Sequence, residues 1–196
     1  MPIRKDHPDV TSRLRLRDHD YSTPGTYFVT ICTERRLCLF GDVLDGELMS
    51  HTSGLMIESW WHRIPVRYPS TEVMEVIVMP NHLHGLVCLG ANPDHEAGVQ
   101  LSTVVGWFKS ITTTDYRRGV ELDGWSRFPG KLWQDGFYDH IVRTDAALRR
   151  IQRYIAANPA NWAEDDFHPG HDRGTAGLPA RPRRGGPTNC SGPTSR

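Results

Sequence analysis

Val73-Met-Glu-Val-Ile-Val-Met79, Pro80-Asn81 and His84-Gly-Leu-Val-Cys-Leu89, with His82-Leu83-His84 at the start of the latter, decide the fold. Both runs are rich in β-branched and apolar residues and read as strands. The connection through Pro80-Asn81 is short, which predicts an antiparallel pair. Upstream, Thr26-Tyr-Phe-Val-Thr-Ile-Cys-Thr33 starts after Pro24-Gly25 and reads as a buried strand. Gly41-Asp42 and Asp45-Gly46 mark turns. From Leu48 to Arg63, the apolar residues Leu48, Leu55, Met56, Trp60 and Ile64 sit near helical spacing, with Pro65 as the stop. Downstream of the pair, residues 90–99 form a loop and Leu101 to Tyr116 a helix with Val104, Val105, Phe108 and Ile111 on one face, capped by Ser102 or Thr103. Residues 117–132 read as a polar connector, and Phe137 to Val142 alternates as a further strand. Asp145 to Asn158 is a helix, capped by Thr144 or Asp145 and stopped by Pro159. This order predicts an α+β, ferredoxin-like split βαβ: a four-stranded antiparallel sheet with helices on one face, followed by a C-terminal helix.

Composition fits that class. The chain has 196 residues, 38% hydrophobic and 23% charged, enough for one domain with a core of its own. No run approaches the ~18 apolar residues of a membrane helix, and the first residues lack an apolar signal core. Cys32, Cys38, Cys88 and Cys190 follow no zinc spacing, so they read as the reduced thiols of a cytoplasmic protein. Residues 1–20 read as an N-terminal arm and 21–162 as the folded domain. Residues 163–196, dominated by Gly, Pro, Arg, Ser and Thr, read as a disordered tail.

Net charge is zero, from 23 basic and 23 acidic residues, which argues against a general polyanion binder. The distribution is uneven: Glu34–Gln100 holds 4 basic and 9 acidic residues, Leu101–Asn161 holds 9 and 6. A local basic surface in the second half is what would meet phosphates.

Chemistry concentrates at His82-Leu83-His84. Residues i and i+2 of a strand share a face, so both imidazoles point the same way and are able to converge on one divalent metal. Two ordinary strand-end histidines would look alike at this level. The final helix offers partners. Leu148, Ile151 and Ile155 form its apolar stripe, with Tyr154 at the polar margin and Asn158 one turn beyond on the same side. Asn158 Oδ1 is a candidate third ligand. Taken singly, Tyr154 is equally a boundary aromatic and Asn158 a helix-end residue before Pro159.

Met79-Pro-Asn-His-Leu-His-Gly85, Trp133-Gln-Asp-Gly-Phe-Tyr-Asp-His-Ile-Val-Arg143 and Arg153-Tyr-Ile-Ala-Ala-Asn-Pro159, in this order, resemble the signature blocks of the REP-associated tyrosine transposases. These are relatives of the single-tyrosine insertion-sequence transposases, within the HUH nuclease superfamily. The resemblance covers roughly residues 20–162. It implies His82 and His84 as metal ligands, Asn158 as the third ligand, and Tyr154 as a nucleophile that joins to a 5′-phosphate and frees a 3′-OH. It also implies Mg²⁺ or Mn²⁺ as cofactor, single-stranded and hairpin-forming DNA as substrate, a catalytic C-terminal helix, and a monomer or homodimer.

Arg150 and Arg153 flank Tyr154 and are the first candidates for phosphate contacts. Lys109, Arg117, Arg118, Arg143 and Arg149 are weaker ones, since such charges usually face solvent. Trp133, Phe137 and Tyr138 are candidates for base stacking and equally for the core. His140 reads as a packed strand residue, Lys131 is undecided, and Trp60-Trp61 reads as helix packing. Two rival readings are a non-catalytic hairpin-binding protein with this fold and a metal-dependent hydrolase that uses water and does not need Tyr154.

Overall fold

The computed structural model describes residues 24–90 and 98–170. The arm at 1–20, most of the 90–99 loop and the tail beyond 170 lie outside the described residues.

Strand β1 (Gly25–Cys32) is central. A hairpin follows, β2 (Gly41–Leu44) and β3 (Glu47–Ser50), then helices α1 (Thr52–His62) and α2 (Ile64–Arg67). Strands β4 (Thr71–Met79) and β5 (His82–Leu89) come next, then α3 (Leu101–Leu122), β6 (Tyr138–Val142) and α4 (Asp145–Ala157). A 3-10 segment, Pro159–Glu164, continues from α4. The sheet order β4-β5-β1-β6, with every pairing antiparallel, is the expected split βαβ.

Both faces of the sheet are covered, and this explains why β1 reads as a continuous apolar run. Tyr27, Val29 and Ile31 of β1 with Leu83 and Val87 of β5 meet Ile57 and Trp61 of α1 and Val104, Val105 and Phe108 of α3. Phe28 and Leu86, on the other face, meet Ile151 and Ile155 of α4. Burying each of these α4 isoleucines contributes about 1.5–3 kcal/mol. The amphipathic α4 thus closes the face opposite α1 and α3. Its start is fixed by Thr144, whose Oγ1 accepts from Ala147 N at 3.1 Å. Thr144→Ala is expected to cost about 1 kcal/mol in chemical denaturation; an unchanged midpoint would remove the cap from the account.

Three expectations are corrected. Leu48 belongs to β3, not to the helix. Asp45 and Gly46, at φ 52° and 80°, form the two-residue turn of a hairpin, the backbone such a turn requires. Helix α3 continues past Tyr116 to Leu122. Gly119 does not break it; a Cβ there would lie 2.3 Å from the Trp125 ring, so the glycine admits that ring. The folded domain also runs beyond residue 162: residues 163–170 are placed, with Asp165 and Phe167 each 4% exposed against the sheet. The composition shift at 163 therefore does not mark the edge of the ordered chain.

Gly85 has the same kind of role as Gly119. A Cβ there would lie 2.4 Å from Trp61 Cζ2, and Trp61 is 1% exposed. This is the helix packing expected of the tryptophan pair; Trp60 anchors separately, donating Nε1–H to Asp115 Oδ2 at 2.7 Å. Gly85→Ala is expected to destabilise by about 1–3 kcal/mol, read from urea midpoints. A loss below about 0.5 kcal/mol would mean Trp61 can move aside.

Candidate functional site

The turn between β4 and β5 is held from one side by the chain following β1. Pro80 O accepts from Leu39 N and Phe40 N at 2.8 and 3.0 Å, and Asn81 O accepts from Thr33 N at 2.9 Å and Thr33 Oγ1 at 3.0 Å. His82 and His84 leave this clamped turn on the α4 face of β5, opposite Cys32 and Thr30 of β1.

Their side chains converge. The two Nε2 atoms are 3.0 Å apart. Asn81 fixes the tautomer of His82: its Nδ2 donates to Phe167 O at 2.8 Å and to Arg36 O at 3.2 Å, so its Oδ1 must accept from His82 Nδ1–H at 2.9 Å. The lone pair of His82 therefore sits on Nε2. Burial first, then the neighbouring His84 and the Arg36 guanidinium, hold the His82 pKa well below its ordinary value, so the ring is neutral at pH 7. His84 Nδ1 lies 2.8 Å from Thr30 Oγ1. With Nδ1–H donating to that hydroxyl, His84 too offers Nε2.

Helix α4 brings its residues to the same point. Tyr154 Oη is 3.2 Å from His84 Nε2, and its ring stands edge-on to Phe28 at 6.1 Å. Burial pushes its phenol pKa up, with the Asp165 charge adding to the rise and the Asn158 amide opposing it. Asn158 caps α4 and is 2% exposed. Its Nδ2 donates to Asp165 Oδ2 at 3.1 Å, while its Oδ1 is buried without a hydrogen-bond partner. An orphaned buried amide oxygen is costly, and this one belongs to the amide that donates to Asp165. His82, His84 and Asp165 offer donor atoms within 4.8 Å of one another, a group that could hold a metal ion.

The segment after α4 roofs this group. Phe167 lies over His82 and His84, with ring centroids 4.7 and 5.9 Å away, and Trp162 flanks His82 at 5.9 Å. Arg36 secures the roof by donating to Asp166 O at 2.7 Å, its guanidinium 5.2 Å from the Phe167 ring. Asp165, Phe167, Asn81, Thr30 and Arg36 were absent from the sequence-derived site. Asn81 alone stood inside a quoted motif, as a turn residue.

The remaining candidates divide. Arg150 and Arg153 are exposed on α4, as are Arg143 and Arg149 nearby. Tyr138, 40% exposed, pairs with Thr30 on the site's face and lies 6.2 Å from Phe167. His140 is exposed on the edge strand rather than packed. Trp133 is 4% exposed; Phe40 and Phe108 lie against it, and its Nε1–H donates to Thr112 Oγ1 at 3.0 Å. It is a core residue with no face open to a base. Lys109 spends its ammonium on Gln134 O at 2.9 Å and on Gly136 O. Burial lowers its pKa to about 8. It lines a cleft of about 570 Å³ between α3 and residues 130–137, together with Arg117 and Lys131.

The fold thus sets two strand imidazoles against a helix-borne tyrosine on a ferredoxin-like sheet. The family of IS200-like transposases matches residues 26–158, and the chain belongs to that family. A Haemophilus influenzae protein of uncharacterised function is 27% identical over 164 residues, covering 79% of this chain and 91% of that one. A second protein of that organism, named as a REP-associated tyrosine transposase, is 25% identical over 160 residues, covering 76% and 83%. Among solved structures, a REP-associated tyrosine transposase bound to a REP hairpin superposes with a TM-score of 0.55 at 21% identity, covering 79% of this chain and 76% of that one. No helix among the described residues is long and apolar enough to cross a membrane.

Proposed function

We propose that the protein cleaves and rejoins single-stranded, hairpin-forming DNA through a covalent 5′-phosphotyrosine at Tyr154. The observation that carries this reading is the meeting of Tyr154 Oη with His84 Nε2 at 3.2 Å beside His82, on a rigid sheet. In the reaction, Tyr154 Oη attacks phosphorus, a P–Oη bond forms and the P–O3′ bond breaks. The phenolic proton ends on the released 3′ oxygen. Bond energy is conserved in the phosphotyrosine, so the 3′-OH can reverse the step.

His82, His84 and Asn158 are the residues that would hold a divalent cation, Mn²⁺ or Mg²⁺, whose charge, when bound, polarises the scissile phosphate. The two imidazoles favour Mn²⁺. Even an unperturbed phenol, of pKa ~10, is only about one part in a thousand ionised at pH 7, and burial of Tyr154 lowers that fraction further. The site must therefore stabilise developing negative charge, and the exposed Arg150 and Arg153 are placed on the helix that carries the nucleophile. His82 and His84 are each 0% exposed. DNA reaches them only if the roof at 165–168 moves aside, and Arg36 is its tether.

The test uses labelled hairpin oligonucleotides from the DNA flanking the gene, incubated with protein and Mn²⁺ or Mg²⁺ and run on a denaturing gel. A metal-dependent protein–DNA adduct is expected. Binding without an adduct would leave a hairpin-binding protein, and cleavage without an adduct would favour hydrolysis by water.

A further inference from the structure

We propose that Asp165 is itself a ligand of the cation, a carboxylate donor supplied from outside the region that the family profile matches. The inference rests on reading His82 and His84 as a cation site. Its first support is position: an Asp165 oxygen lies within 4.8 Å of donor nitrogens on both histidines, and the residue is 4% exposed. The family match ends at residue 158, so nothing in the shared motifs assigns Asp165.

Its second support is the orientation of Asn158. Asp165 Oδ2 accepts from Asn158 Nδ2 at 3.1 Å, which leaves Asn158 Oδ1 as the buried, unpartnered oxygen. Asp165 Oδ1 accepts from Phe167 N at 2.7 Å, and Asn81 Nδ2 reaches Phe167 O at 2.8 Å. The residue that sets the His82 tautomer thus also holds the backbone that presents Asp165. The third support is charge. Two neutral imidazoles and an amide oxygen bring none, and a dication among buried groups needs a compensating anion. Asp165 supplies one negative charge with oxygen ligation suited to Mn²⁺ or Mg²⁺.

The rival is a purely local role, in which Asp165 only closes the turn to Phe167. Mn²⁺ affinity by calorimetry separates the two, on the full chain without DNA. Asp165→Asn keeps the acceptor for Phe167 N–H but loses the charge and the acceptor for Asn158 Nδ2, and is expected to weaken Mn²⁺ at least about tenfold with the melting curve in EDTA shifted only by that one hydrogen bond. A change below about twofold, alongside a large loss in His82→Ala, would overturn the Asp165 assignment and leave the cation site standing. No loss in His82→Ala would instead refute the site reading. Asp165→Cys adds a positive readout. Direct ligation predicts a thiolate-to-cadmium absorption band absent from the wild type and a shift in preference from Mn²⁺ towards Cd²⁺. A variant that folds and binds Cd²⁺ with no such band would also overturn the proposal.

Discussion

Tyr154→Phe is expected to form no covalent adduct with hairpin DNA, a loss of at least about a thousandfold, or roughly 4 kcal/mol of barrier. The substitution is clean because the ring's surroundings survive it. The edge contact to Phe28 at 6.1 Å and the approach to His84 at 5.2 Å involve ring carbons. What is lost is the hydroxyl with its contacts, among them those to His84 Nε2 and the Asn158 amide. Folding should be nearly unchanged, and hairpin affinity should stay within about twofold, because Arg150 and Arg153 are untouched. Denaturing gels and fluorescence anisotropy on one preparation measure both. An adduct of undiminished yield in this variant would assign the nucleophile elsewhere, with Tyr138, exposed on the same face, as the next to test.

Sequence pattern and structure agree wherever a contact has a period. Strands β1, β4 and β5 announce themselves as apolar runs because both sheet faces are covered, and the i, i+2 rule puts both histidines on one of them. The i, i+4 rule puts Tyr154 and Asn158 on one side of α4. The reading fails where a residue acts through a single long-range contact. Gly119 carries the ordinary signature of a helix breaker, and only the Trp125 ring explains why α3 passes through it. The β2–β3 hairpin was masked by the accidental helical spacing of Leu48 with Leu55, although Asp45-Gly46 is a strong hairpin turn.

The roof is the larger omission, and its cause is physical. Asp165-Asp166-Phe167-His168 follows a 3-10 turn and has no repeat, so no period marks which side chain turns inward. Its composition merges into the Gly- and Pro-rich stretch that follows. Asn81 shows the same difficulty from within a motif. As a turn residue it was visible. As the amide that joins Arg36, His82 and Phe167 it was not, because Arg36 lies 45 residues before it and Phe167 86 residues after it.

His84→Ala is expected to abolish the adduct and to weaken Mn²⁺ at least about a hundredfold, since His84 joins the sheet, the second imidazole and the helix-borne tyrosine. It links Thr30, His82, Tyr154 and Phe28, the last by ring stacking at 5.3 Å. Removing a buried imidazole also leaves a void and an unpaired Thr30 hydroxyl, at a cost of about 1–3 kcal/mol. Activity alone would confuse the two effects. Thermal melts in EDTA and in Mn²⁺ separate them. The folding cost shifts both curves, whereas ligand linkage raises only a protein that binds, by about 2.7 kcal/mol at a hundredfold excess over Kd. Wild type should gain that stabilisation and His84→Ala should not. A variant with a lowered melting point in EDTA but the full Mn²⁺ gain would show that His84 holds the fold of the site and is not a ligand, and the cation would then have to be sought on His82, Asn158 and Asp165.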